Sequence, residues 1–282
     1  LIQSSVSFVF LKRVLSKKHG FKLKIQNILK KIKDLKEIFQ QGLKLSIAGL
    51  VSNSAIVLGT TIILVFSNEY ILGIFTASFL ILDKYTSVLI TAIAPDYHPR
   101  LAKTLDEEKR VELISFQKRL FLIIVIFLTT ILINTSHILV EILFAKEFEK
   151  VSIILFYGSI GLIFKTMAQV YSYALVALEH TKQFLINEIC FAVVWIMLLS
   201  LSAYLENLKL IGLSYSFSYL IYYIINYKTI KYFHKIKRSS GQLLKEIFPL
   251  VVLMLISYTL KISSIEQKLF GYFIIILSGY LT

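Results

Sequence analysis

Long apolar runs separated by short polar ones dominate the chain from residue 42 onward, and eight such runs can be delimited: 43–66, 71–94, 120–137, 151–178, 184–204, 210–227, 247–260 and 269–281. A bilayer core takes about 20 helical residues to cross, so these runs predict transmembrane helices, the last two being short for the task. Ahead of them, Ile25, Ile28, Leu29, Ile32, Leu35 and Phe39 recur at the three-and-four spacing of one helix face, while Lys24, Lys30, Lys31 and Lys33 lie away from it. That pattern predicts a basic amphipathic helix lying on an anionic cytoplasmic leaflet. Residues 1–11 read as the end of a further apolar helix, and the chain is expected to be a fragment that lacks an N-terminal part.

Composition agrees with the pattern. Hydrophobic residues make up 56% of the 282, above the roughly 45–50% of a soluble domain. The net charge of +14 raises the question of nucleic acid, and its distribution answers it. Of the 31 Lys and Arg, 23 fall in residues 11–41, 95–119, 179–183 and 228–246, which are alternate connections between spans. Basic residues gathered in every second loop are the signature of membrane topology, so the excess orients the protein and no nucleic-acid partner is expected. The expected class is an all-α polytopic membrane helix bundle.

Three charges break the apolar runs. Asp83 and Lys84 interrupt 71–94, and Lys165 interrupts 151–178. Charge at such depth is costly and usually faces a bundle interior or a wet cavity. Successive helical residues point about 100° apart, so Asp83 and Lys84 cannot share a direction. Polar and small residues form stripes beside these charges: Ser46, Gly49, Asn53 and Thr60 in the first span, Gly158, Gly161, Lys165 and Gln169 in the fourth. The Gly and Ser positions are read as helix packing, whereas an ammonium has no use at a dry helix contact. Lys165, Lys84, Asp83, Gln169 and Asn53 are therefore the candidate substrate-binding residues. Cys190 is single, the five histidines are scattered, and no phosphate-binding glycine loop occurs. No catalytic residues, metal or cofactor are expected.

Several segments carry a resemblance. Gly42-Leu43 opens a span that ends in a short turn; Gly73-Ile74-Phe75-Thr76-Ala77 follows at the start of the next helix, and a Pro-containing segment, 95–101, at its exit. Farther on come a helix end from Gln169 to Lys182, with Leu175, Ala177, Thr181 and Lys182, and a helix start at Leu210-Ile211-Gly212-Leu213-Ser214-Tyr215-Ser216. In order and spacing, over about 41–233, this resembles the second lobe of the Wzx-type polysaccharide flippases, within the superfamily that includes MATE transporters and lipid II flippases. Ala77 stands one place early for that pattern. The resemblance implies two six-helix lobes around a central cavity. Residues 1–11 would end the missing first lobe, 12–41 form a cytoplasmic linker, 42–233 form the second lobe, and 234–282 add two transmembrane helices.

The resemblance further implies a flippase, not an enzyme. Its partners would be membrane lipids and an undecaprenyl-pyrophosphate-linked oligosaccharide for O-antigen, lipopolysaccharide or other surface polysaccharide, moved by alternating access across the bacterial inner membrane. Coupling to protons or sodium stays open. Lys165 would offset pyrophosphate charge, and Tyr171, Tyr173, Tyr215 and Tyr219 are candidates for stacking on sugars, the commoner role of such tyrosines being packing or anchoring at the membrane interface. Lys84 and Lys165 against Asp83 lean toward an anionic substrate. One alternative is a MATE-like antiporter with Asp83 as its ion site. Another is an integral-membrane polymerase or ligase, for which the longest outer connection, 137–150, is short and lacks paired carboxylates.

Overall fold

Residues 28–144 and 146–234 are described in the computed structural model. The expected helix end at 1–11, residues 12–27 of the linker and residues 235–282, with the two additional spans, lie outside them. The described residues form six long helices, and no strand occurs among them: α1 (Ile28–Phe66), α2 (Glu69–Lys103), α3 (Glu107–Leu143), α4 (Val151–Ala177), α5 (Thr181–Tyr204) and α6 (Leu208–His234). A 3₁₀ turn, Lys146–Phe148, precedes α4. Five segments are long and apolar enough to cross a membrane: Leu35–Phe66, Glu107–Ser136, Val151–Ala177, Thr181–Tyr204 and Leu208–His234. α2, with 35 residues, is longer than any of the five.

Two element boundaries differ from the sequence reading. No helix end falls at Gln41, because α1 runs unbroken from Ile28 to Phe66. Gly42 is the weak helix former there, and one such residue costs about 1 kcal/mol against Ala, too little to end a helix. The expected long charged loop, 95–119, is mostly helix: α2 continues through Pro95 and Pro99 to Lys103, and α3 begins at Glu107. The break lies instead between Lys103 and Glu107: Thr104 caps the end of α2, and Asp106 caps the start of α3, its carboxylate accepting from the Glu108 N–H at 2.9 Å and so satisfying a donor that the first turn leaves free.

The chain divides after Leu43 into two compact units. In the first, the described residues are helical, with Leu35, Ile38 and Phe39 exposed. In the second, short connections force consecutive helices to run antiparallel. At one end, Tyr70 donates to the Glu147 carbonyl at 3.0 Å and Ser67 donates to the Ala203 carbonyl at 3.2 Å. At the other, His234 Nδ1 lies 2.9 Å from Glu107 Oε1 and the His180 ring packs 5.4 Å from that of His234. Burial, then the neighbouring His234 and Arg110, holds His180 below the ordinary histidine range. Among the described residues of this unit, Arg100, Lys103, Lys109, Arg110 and Lys182 lie on the helix ends and connections at this second end. Single cysteines at Asn68 or Glu147, in a Cys190→Ser background, are therefore expected to react with an impermeant thiol reagent in intact cells, and one at Lys109 to stay unlabelled. Labelling of Lys109 from outside would invert the topology.

α4 is the most buried of the five spans. It packs closely on α6 because glycines remove side chains where the backbones meet: a Cβ at Gly161 would lie 2.9 Å from the Ser216 Cα, and one at Gly212 would lie 2.8 Å from the Ile154 carbonyl oxygen. The Ser216 hydroxyl donates to the Tyr157 carbonyl at 2.7 Å and accepts from the Gly161 N–H at 2.9 Å. Small residues and interhelical hydrogen bonds take the place of a hydrophobic driving force in lipid.

Candidate functional site

The close α4–α6 pairing, with α1, α2 and α5 around it, leaves a half-open cavity of about 280 Å³. α2 supplies Asp83 and Phe79; α4 supplies Lys165 and, one turn on, Gln169; α5 supplies Glu188, Phe191 and Trp195; α6 supplies Tyr215, Tyr219 and Tyr222; and α1 supplies Ser52. Aromatic side chains form a continuous wall, with Phe79 and Trp195 stacked at 5.5 Å and Phe191 and Tyr219 tilted against each other at 4.6 Å between ring centroids.

Lys165 is 4% exposed, and its Nζ lies 2.8 Å from Asp83 Oδ1 and 5.6 Å from the Tyr219 ring centre. A buried ammonium requires compensation of this kind, and the ring face adds a cation–π attraction. The Asp83 side chain is 38% exposed and opens the pair to the cavity.

In the same lining the carboxylate of Glu188 lies 2.8 Å from Ser52 Oγ and bonds the Tyr222 hydroxyl as well. Tyr222 in turn lies 3.2 Å from Ser172 Oγ. No ion-pair partner of Glu188 exists among the described residues. A separate buried amide cluster, Asn187 with Asn226 at 3.0 Å, ties α5 to α6.

Of the residues expected to bind substrate, Lys165, Asp83 and Gln169 come together in the cavity. Lys84 and Asn53 are exposed and take no part in its lining. Tyr173, Tyr215 and Tyr219 line it, while Tyr171 is buried in the core against Tyr223. The charge balance needs correction. Its lining carries one lysine against two carboxylates, Asp83 and Glu188, rather than two lysines against one. Glu188 is not among the residues the sequence singles out, because it stands four residues inside the run 184–204 and reads as an end charge. The available signal was its position between Ile186 and Phe191 in an otherwise uncharged stretch. No group of three or more metal-ligating side chains occurs among the described residues.

The described helices thus form an antiparallel bundle of a multi-pass membrane protein, around a half-open cavity whose largely aromatic lining carries Lys165, Asp83 and Glu188. The sequence profile of the family described as polysaccharide biosynthesis protein matches residues 1–153, just over half of the chain. The chain belongs to that family. No curated protein matches it. Among solved structures it is similar to the lipid II flippase MurJ in an inward closed conformation, with a TM-score of 0.56 and 15% identity over 97% of this chain and 57% of that one. At that identity the likeness establishes the fold. The chain thus spans little more than half the length of that flippase.

Proposed function

We propose that the protein is a flippase for a lipid-linked, pyrophosphate-bearing oligosaccharide in the bacterial inner membrane, and that residues 42–233 are the second of its two lobes. The observation that carries this reading is the Lys165–Asp83 pair, set in a cavity with an aromatic wall in a chain of a polysaccharide-biosynthesis family. An ammonium held at 2.8 Å by a half-exposed carboxylate can exchange that partner for a phosphate without leaving its place. Ring faces alongside suit the apolar faces of sugars. Gln169, one turn from Lys165, adds an amide for hydroxyl groups. The role is that of a carrier, in which one lobe rocks against the other around a fixed site.

A cation-coupled antiporter is the second reading, and the two cavity carboxylates favour it. Deletion of the gene separates them. Under the flippase reading, deletion removes surface polysaccharide and leaves lipid-linked oligosaccharide on the cytoplasmic leaflet. Sensitivity to cationic drugs with normal polysaccharide would instead establish the antiporter.

A further inference from the structure

Glu188 is the charge in the cavity for which the ion pair does not account. Its two carboxylate oxygens meet only hydroxyls, from Ser52 and Tyr222. Each hydroxyl has a second partner on its far side: Ser52 Oγ lies 3.1 Å from the Ala48 carbonyl oxygen, and the Tyr222 oxygen lies 3.2 Å from Ser172 Oγ. A hydroxyl carries one donor and two acceptor sites and rotates freely between partners. The network therefore has a complete arrangement for either charge state of the carboxyl. Ionised, it accepts from both Ser52 and Tyr222. Protonated, its O–H donates to Ser52, Ser52 donates to the Ala48 carbonyl, Tyr222 still donates to the other carboxyl oxygen, and Ser172 donates to Tyr222. No heavy atom moves between the two.

We propose that Glu188 is a proton-binding site whose occupancy is coupled positively to an anionic headgroup in the same cavity. With Glu188 ionised, the lining holds two carboxylates against Lys165; with it protonated, Asp83 and Lys165 balance. An entering anion thus meets a lining without net charge only when the proton is bound, and meets one net negative charge otherwise. Linkage then requires each ligand to tighten the other. The proton is taken from water and returned to it, and no other bond changes. Titratable groups that share the lining with Glu188 are Tyr215, Tyr219 and Tyr222 from α6, Tyr173 and Lys165 from α4, and Asp83 from α2; α1 contributes Ser52 but no titratable group.

The coupling rests on the flippase reading; the proton site does not. The full-length protein in lipid vesicles can be titrated while infrared spectroscopy follows the protonated carboxyl stretch, with inorganic pyrophosphate as the probe anion. The expected band is present in the wild type and lost in Glu188→Gln. Its midpoint rises when pyrophosphate is added, and that rise is lost in Lys165→Ala. Identical titrations of wild type and Glu188→Gln overturn the site. A midpoint unmoved by pyrophosphate overturns the coupling. A band removed at constant pH when sodium replaces choline assigns the site to sodium and overturns the proton. If polysaccharide export survives deletion of the gene while the band behaves as expected, the flippase reading fails and the proton site stands.

Discussion

Lys165→Ala is expected to abolish surface polysaccharide in a strain lacking the native gene, and Lys165→Arg to retain part of it. The charge survives in arginine, although its planar fork changes the geometry. Two effects have to be separated. Removing one partner of a buried pair leaves the other uncompensated, at about 3–5 kcal/mol, and the 38% exposure of Asp83 places this pair at the low end. Lys165→Ala should therefore lower protein abundance somewhat, as should Asp83→Asn, since it leaves the buried ammonium without its carboxylate. The combination of Lys165→Ala with Asp83→Asn removes both charges and should recover abundance. Polysaccharide output is the deciding measurement. A double variant that restores protein level but not export assigns Lys165 a role in transport. Recovery of export with abundance reduces the pair to a structural element.

Gly161→Ala is the second large effect, and it acts on stability. The added methyl would stand 2.5 Å from Tyr215 Cδ1 and 2.9 Å from the Ser216 Cα. The ring can shift, but the backbone of α6 cannot retreat without disturbing the Ser216 bridge to Tyr157 and Gly161. Overpacking of a close contact costs about 1–3 kcal/mol, and Gly212→Ala, 2.8 Å from both the Ile154 carbonyl and Tyr157 Cβ, should behave alike. Gly49→Ala is the control. Nothing lies within 4 Å of its Cβ position, so the gain in helix propensity should show, about 0.4–1 kcal/mol. Thermal unfolding of the purified protein in one detergent would rank the three. A Gly161→Ala variant as stable as Gly49→Ala would mean that α4 and α6 do not approach this closely.

The sequence by itself determined the membrane class, and it sets an expected direction for the described helices. Both follow from local quantities: the length of an apolar run against the bilayer, and the side on which Lys and Arg collect. It also singled out Lys165 and Asp83, because a charge within a lipid-spanning run has few places to go. Helix boundaries at 41 and 95 were misplaced, since Gly42 and two prolines weaken a helix without ending it when flanking residues continue the ladder. The tertiary structure alone decided which polar residues meet. Asp83 and Lys165 are 82 positions apart, and Ser52 and Glu188 are 136 apart. Nothing in the local pattern of α1 sends Ser52 to the cavity and leaves Asn53, its neighbour, exposed. That choice depends on how each helix is rotated about its axis. For α4 and α6 that rotation goes with the close approach at Gly161 and Gly212, and on α1 Gly59 meets Trp195 and Leu199 of α5; both are properties of packed surfaces and not of either helix alone.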